Sequence, residues 1–208
     1  MALFTPTIEA LTILKHTPNT FLITGSSSGI GLSTATLLSS LNQSHNLIML
    51  DRNPPPPAFQ HPSSNVHFHT CDITSWQSQR AGFAAGHAKF GRIDCVFVNA
   101  GMAEHGEQFF NEDVDNKGRL KEPDRRVLNV DLNAASDTVK FAIYYLKKNG
   151  SDGGEIVVTA SLAGYLASAG APLYSAAKHG LAAHQKQAEP GVRTSPPHTR
   201  VQDLICPC

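Results

Sequence analysis

At 208 residues the chain is long enough for one α/β domain with a full core and too short for two ordinary ones. Hydrophobic residues make up 41% and the formal charge is zero, so there is no electrostatic footprint for nucleic acid or for an anionic membrane surface. No apolar run approaches the roughly eighteen residues of a membrane span, and residues 1–19 contain Glu9 and lack a basic start followed by a long apolar core.

Residues 1–19 read as an N-terminal extension, and the first strand signal is Thr20-Phe21-Leu22-Ile23-Thr24. It runs into Gly25-Ser26-Ser27-Ser28-Gly29-Ile30-Gly31, after which Leu32, Ala35, Leu37, Leu38 and Leu41 recur at helical spacing. Strand, glycine turn and helix form the context in which such glycines bind a dinucleotide. Gly25 permits the sharp turn, Gly29 lets the backbone approach a pyrophosphate, and Gly31 lets helix and strand pack closely. The helix N-terminus then offers free N–H groups to the phosphates, with Ser27, Ser28 and Ile30 in the same turn.

A second strand, His45 to Leu50, ends at Asp51, about twenty residues beyond the glycines. An acidic side chain there accepts hydrogen bonds from the adenosine ribose and repels a 2′-phosphate, which favours NAD over NADP. Arg52 is adjacent and could stabilise that phosphate instead, so NADP stays open. Pro54 to Pro57 is a stiff, extended connector. Val66 to Thr70 resembles a strand leading to Cys71 and Asp72, and Asp72 could bind an adenine amino group. Ile93 to Val98 is a buried-strand run ending in Asn99-Ala100-Gly101, where Asn99 can brace neighbouring strands and Gly101 leaves room for a cofactor.

Glu104 to Pro123 is a polar, charged loop, placed where folds of this kind build substrate sites. A helical pattern from Asp124 to Lys148 and a turn at Gly153-Gly154 precede a fifth strand, Ile156 to Thr159. Alternating strands and helices imply a doubly wound parallel sheet. Four cysteines without paired spacing fit reduced thiols in a cytoplasmic protein, and no Cys or His spacing supports a metal site, the Cys206-Pro207-Cys208 end included.

Tyr174 and Lys178 are four residues apart among helix formers, so they share one face, and Ser161 lies thirteen positions before Tyr174 at the end of the fifth strand. A phenol in water ionises near about pH 10, and one that moves a proton near neutral pH needs a cation beside it. Tyr144 and Lys148 repeat the spacing, but Asp131, not a hydroxyl, stands thirteen residues before Tyr144.

The TGxxxGIG turn from Thr24 to Gly31, Asp72, Asn99-Ala-Gly101, Ser161 and Tyr174-x-x-x-Lys178 together resemble the short-chain dehydrogenase/reductase family over about Thr20–Gly180. Ser161-Leu-Ala-Gly164 and Ser175-Ala-Ala-Lys178-His179-Gly180 are most similar to its 15-hydroxyprostaglandin dehydrogenase-like branch. The resemblance implies an NAD(P)-binding Rossmann domain over residues 20–180. It also implies hydride transfer between nicotinamide and a secondary alcohol or ketone. In that reading Tyr174 is general acid or base, Lys178 lowers its pKa and holds the nicotinamide ribose, and Ser161 orients the substrate oxygen. Tyr174 and Lys178 thus count among the cofactor-binding residues. Self-association through the long helices is a further expectation.

The chain departs from the family pattern in two places. Asp131 stands where the family's helix carries an asparagine, flanked by Asn129 and Asn133, and its role is left unassigned. After Gly180 the apolar helix period is lost and no β-branched strand is evident, Val192 to Ser195 being a remnant at best. Residues 181–208 therefore read as an atypical, poorly ordered tail, like a shifted frame or retained intron. The family's last two strands are expected to be missing and a sheet edge exposed. That keeps a second reading open, an inactive NAD(P)-binding product. The small, apolar stretch from Leu166 to Pro172 favours a hydrophobic alcohol or ketone.

Overall fold

The computed structural model describes residues 7–106, 109, 111–166, 168, 170–186 and 199–206. Six strands, β1 (Thr20–Thr24), β2 (Asn46–Asp51), β3 (Val66–Thr70), β4 (Cys95–Val98), β5 (Gly154–Ser161) and β6 (Thr199–Cys206), form one sheet. Every pairing is parallel and the order is β3-β2-β1-β4-β5-β6. The helices are α1 (Ile8–His16), α2 (Gly29–Leu41), α3 (Trp76–Phe90), α4 (Arg126–Leu128), α5 (Ala135–Leu146) and α6 (Pro172–Lys186). The first three strands step outward in one direction, and the chain then returns to place β4 on the other side of β1. That reversal opens a crevice beyond the carboxyl ends of β1 and β4.

The strands read as unbroken apolar runs because both faces of the sheet are covered. The two-residue period divides the side chains. Leu22, Ile48, Leu50, Val96, Val98, Ile156 and Val158 pack on one face with Phe83 of α3 and Phe141, Tyr145 and Leu146 of α5. Ile23, Leu47, Met49 and Phe97 pack on the other with Ala35 and Leu38 of α2. Phe83 is fully buried, its ring stacked 5.3 Å from Phe141 and 5.5 Å from Tyr145. Helix α3 lies close on β2 because Gly82 and Gly86 face it; a Cβ there would stand 2.8 Å from Leu50 Cδ2 and 2.6 Å from Ile48 Cγ2.

The helical pattern expected from Asp124 to Lys148 is realised as α4, a π-helical segment over Asn129–Ala134, and α5. The wider π turn changes which side chains face the sheet, and Asp131 within it is buried. The described part of the loop from 104 to 123 forms no helix, only an isolated bridge between Val114 and Leu120.

The expected loss of the last two strands is corrected for one of them, at the sheet edge. β6 runs parallel to β5 along its whole length, from the Gly154–Thr199 pair to the Ser161–Cys206 pair, and covers the edge that the sequence left bare. Thr199, Val201 and Ile205 are β-branched at every second or fourth position, and an open parallel edge overrides the polar Gln202-Asp203 between them. The tail expected over residues 181–208 thus includes the end of α6 and a full strand. Val192–Ser195, and the rest of 187–198 and 207–208, lie outside the described residues.

Candidate active site

The glycine turn is built as its sequence requires. Gly25 has φ +65°, which an L side chain adopts rarely, and a Cβ there would lie 2.8 Å from Ala100 Cα. A Cβ at Gly31 would fall 2.1 Å from Gly25 O and 2.7 Å from Asn99 Nδ2, so α2 can approach the turn only without one. Gly29, φ +50°, has nothing within 4 Å of the Cβ position and faces open space. Ser28 caps α2 with extended backbone and no side-chain hydrogen bond, which leaves the N–H groups of the first turn for a ligand. These features fit the pyrophosphate of a dinucleotide.

The two glycines should respond differently to the same change. Gly31→Ala is expected to destabilise by about 1–3 kcal/mol through overpacking, read as a lowered thermal midpoint. Gly29→Ala should cost about 1–2 kcal/mol at most, for the left-handed conformation, while weakening NADH binding. Equal stability of Gly31→Ala and the unsubstituted protein would contradict the packing role of Gly31.

At the other end of the crevice, Asp51 Oδ2 accepts from Ser27 N at 2.9 Å and Oδ1 accepts from Asn53 N at 3.0 Å, so the carboxylate is fixed beside the turn. Arg52 is tied to Asp72, Nη2 to Oδ1 at 3.0 Å, with both side chains half-exposed. Asp72 Oδ1 also accepts from Thr74 N and Thr74 Oγ1. The Thr74 hydroxyl, followed by the Thr74 N–H and Arg52, holds the Asp72 carboxyl below the usual carboxylate range. Asp72 therefore points at its own turn, and its neighbours Cys71 and Ile73 reach the crevice instead. Burial pushes the Cys71 thiol up, which keeps it protonated and argues against a thiolate nucleophile there.

Asn99 joins three strands at the crevice floor. Its Nδ2 donates to Thr24 O at 3.1 Å and Gly25 O at 3.2 Å, and its Oδ1 accepts from Thr159 Oγ1 at 3.0 Å. Thr24 Oγ1 completes the brace by accepting from Asn99 N at 3.0 Å and Ala100 N at 3.2 Å. Thr24 and Thr159 carry this work without having stood out in the sequence.

Helix α6 brings Tyr174 and Lys178 to the same crevice. Pro172 suits its first turn, whose N–H is lost without cost, and Glu104 Oε2 from the loop accepts from Tyr174 N at 2.8 Å. Gly164 and Gly180 let α6 sit close to its supports, since added Cβ atoms would lie 2.9 Å from Lys178 O and 2.9 Å from Leu132 Cδ1 respectively. Lys178 Nζ stands 5.5 Å from the Tyr174 ring centre, donates to Thr159 O at 3.2 Å, and is 3.2 Å from Asp131 Oδ2. Tyr144 and Lys148 show that proximity alone does not make a site. Lys148 Nζ is 4.8 Å from the Tyr144 ring, yet that ring is exposed on α5.

One cavity of about 590 Å³ unites these parts. Its wall includes Gly25, Ser28, Gly29, Ile30, Asp51, Asn99, Gly101, Tyr174 and Lys178, together with Arg52, Asp131 and Thr159. Ser27, Gly31, Asp72 and Ser161 are not on the wall. Ser161 is buried at the end of β5, where its Oγ accepts from Ala163 N at 3.1 Å and caps the short Leu162–Gly164 turn. Asp131 and Glu104 were the site residues that sequence reasoning left without a role. Only the thirteen-residue count back from Tyr144 and the family's asparagine position had drawn attention to Asp131. Among the described residues no group of three or more His, Cys, Asp and Glu side chains could hold a metal, and no helix is long and apolar enough to cross a membrane.

Comparison with known proteins places this geometry. Over 161 residues the chain is 37% identical to a short-chain dehydrogenase/reductase of Penicillium rubens, covering 77% of this chain and 46% of that protein. It is also 37% identical over 161 residues to a short-chain dehydrogenase/reductase of Acremonium egyptiacum, covering 76% of this chain and 52% of the relative. The chain therefore spans about half the length of these curated relatives. A short-chain dehydrogenase/reductase of Burkholderia phymatum in complex with NAD shares the fold at a TM-score of 0.72 and 22% identity, over 91% of this chain and 66% of that one. The 3-ketoacyl-(acyl-carrier-protein) reductase of Brucella melitensis complexed with NADH does so at 0.74 and 21%, over 91% and 75%. A family model described as short chain dehydrogenase matches residues 19–194. The chain belongs to the short-chain dehydrogenase/reductase family.

Proposed function

We propose that the chain carries an NAD(P)-dependent oxidoreductase site that moves a hydride between nicotinamide and a secondary alcohol or ketone, hydrophobic in character. The observation that carries this reading is the convergence of Tyr174, Lys178 and the glycine turn on one cavity. The cofactor supplies the hydride chemistry. Tyr174 gives a proton to the carbonyl oxygen in reduction, or takes it from the alcohol in oxidation. Lys178 stabilises the ionised phenol by charge and holds the nicotinamide ribose. Ser161 orients the substrate oxygen; its bond from Ala163 N uses the hydroxyl oxygen alone, which leaves the hydrogen for donation. Gly101 and Asn99, both on the cavity wall, would help hold the cofactor, and Asp72 would meet its adenine only by leaving Thr74.

The reading favours NAD. The support is that the Asp51 carboxylate is held beside the glycine turn by Ser27 N and Asn53 N, where its charge would repel a 2′-phosphate, while Arg52, the cation able to neutralise one, is tied to Asp72. A second reading, a non-catalytic NAD(P)-binding protein, draws support from Ser161 lying off the cavity wall. The protein would act in the cytoplasm, where Cys71 and Cys95 stay free thiols. The test is a fluorescence titration with NADH and NADPH, followed by turnover with NAD across a panel of secondary alcohols. NADH should bind at least about tenfold tighter, a difference of about 1.4 kcal/mol, and at least one alcohol should be oxidised. Tight NADH binding without any turnover would favour the second reading, and no binding of either would sink both.

A further inference from the structure

Tyr174 is the third residue of α6, in the end turn where a helix leaves N–H groups free and frays most readily. The immediate flank offers little to cap that turn: Pro172 has no N–H, Ala171 carries only a methyl group, and the turn holds no acidic residue. The loop after β4 supplies the acceptor instead. Glu104 Oε2 accepts from Tyr174 N at 2.8 Å, across seventy positions of the chain, while Ala171 O accepts from Ser175 N at 3.0 Å. A carboxylate at a helix N-terminus meets both a free N–H and the positive end of the helix dipole. The other oxygen, Oε1, is buried and has no hydrogen-bond partner among the described residues, and nearby Arg126 is paired with Asp124.

We propose that Glu104 is a positioning residue, whose carboxylate pins the first turn of α6 to the loop after β4 and so fixes the Tyr174 ring in the cavity wall. The inference rests on the role given to Tyr174 above. A helix is oriented by two separated fixed points. One lies at Lys178, where a Cβ on Gly164 would stand 2.9 Å from Lys178 O and where Nζ donates to Thr159 O at 3.2 Å. Tyr174 lies one turn, about 6 Å, nearer the N-terminus, and Glu104 is the second point. Helical side chains lean toward the N-terminus, so the ring stands over the turn that Glu104 holds. A displacement of about 1 Å in a reacting group can cost on the order of a hundredfold in rate.

The loop that carries Glu104 is itself part of the wall. Gly101, Met102 and Ala103 line the main cavity, and Met102, Ala103 and Glu104 line a smaller one of about 80 Å³ together with Asp124, Arg126 and Val127. Glu104 thus stands at the partition between the two, and its bond to α6 keeps Tyr174 in register with the wall beside it. Other bonds at this end of α6 do not reproduce the effect. Ser175 Oγ accepts from Ser168 N at 3.0 Å, and His179 Nδ1 meets Ser175 O at 2.8 Å. Both stay within one stretch of chain, so they shape the helix end without tying it to the loop after β4.

NMR of ring-labelled tyrosine reads the Tyr174 ring directly and needs no substrate; its signal among the chain's four tyrosines is the one lost in Tyr174→Phe. Glu104→Ala is expected to shift that signal and to lower kcat with NAD and a secondary alcohol by about 10–10²-fold, with NADH affinity kept within a few-fold. Glu104→Gln, whose amide oxygen still accepts from Tyr174 N, should leave the signal in place and kcat within about threefold. Should Glu104→Ala not fold, Glu104→Asp, one methylene shorter, carries the same expectation. A cap that only stabilised the fold would lower the thermal midpoint and move neither the ring signal nor kcat. The proposal is overturned by an unmoved ring signal in folded Glu104→Ala, by undiminished kcat there beside an active unsubstituted protein, or by Glu104→Gln behaving like Glu104→Ala. A ring signal displaced by alanine and restored by glutamine, in a protein that turns over no alcohol, would sustain the positioning and sink the catalytic reading, so the two failures are distinguishable.

Discussion

Tyr174→Phe is expected to reduce turnover by about 10²–10⁴-fold, the range for loss of a positioned acid–base group, while NADH affinity stays within a few-fold. The ring is half-buried at the cavity wall and its backbone N–H, not its hydroxyl, binds Glu104. Phenylalanine fills the same space and keeps that bond, so thermal stability should hardly change. The split matters: kcat falls, cofactor binding and fold persist. Steady-state kinetics beside an NADH titration measures it, and a variant with undiminished kcat would remove Tyr174 from the chemistry.

Lys178→Met should have the largest combined effect. It removes the cation beside Tyr174 and strands the Asp131 carboxylate with one donor, Met102 N. Breaking a buried pair from one side costs about 3–5 kcal/mol, a large share of an ordinary domain's stability, because the remaining charge is uncompensated. Chemical denaturation should show that loss, and turnover should vanish. The double change Lys178→Met with Asp131→Leu separates the causes. Removing both charges should restore most of the stability and none of the activity. If Lys178→Met alone were as stable as the starting protein, the pair would not be the buried contact described above.

Much of this site was legible because it is local. The glycines at 25, 29 and 31 act within one turn, and Tyr174 and Lys178 within one turn of a helix, so spacing along the chain maps onto spacing in the site. The buried strands were legible because a sheet covered on both faces leaves no polar position in runs such as Leu47 to Leu50. What escaped was long-range. Asp131 gained its partner from a helix almost fifty residues on, through a π turn that no propensity scale marks. Glu104 looked like one more charge in a polar loop until it met the backbone of Tyr174, seventy residues away. β6 was hidden by Gln202-Asp203, a polar pair that an isolated strand would tolerate poorly and an open sheet edge accepts. Ser161 shows the reverse: the spacing brought it to the end of the right strand, but its hydroxyl caps a turn beside the cavity.

These features separate a site from its imitation. The Tyr144–Lys148 pair has a cation over a ring, as Tyr174–Lys178 has, but lies on an exposed helix face with no glycine turn opposite. The pair proposed to carry the chemistry is the one that shares a cavity with the glycine turn.

Hydride transfer can be followed with deuterium. A secondary alcohol labelled at its carbinol carbon would be incubated with the protein and NAD, and the reduced cofactor recovered for mass spectrometry. One deuterium on the nicotinamide ring per turnover is expected, present with the unsubstituted protein and lost to background with Tyr174→Phe. Unlabelled reduced cofactor, or equal labelling by both proteins, would contradict it.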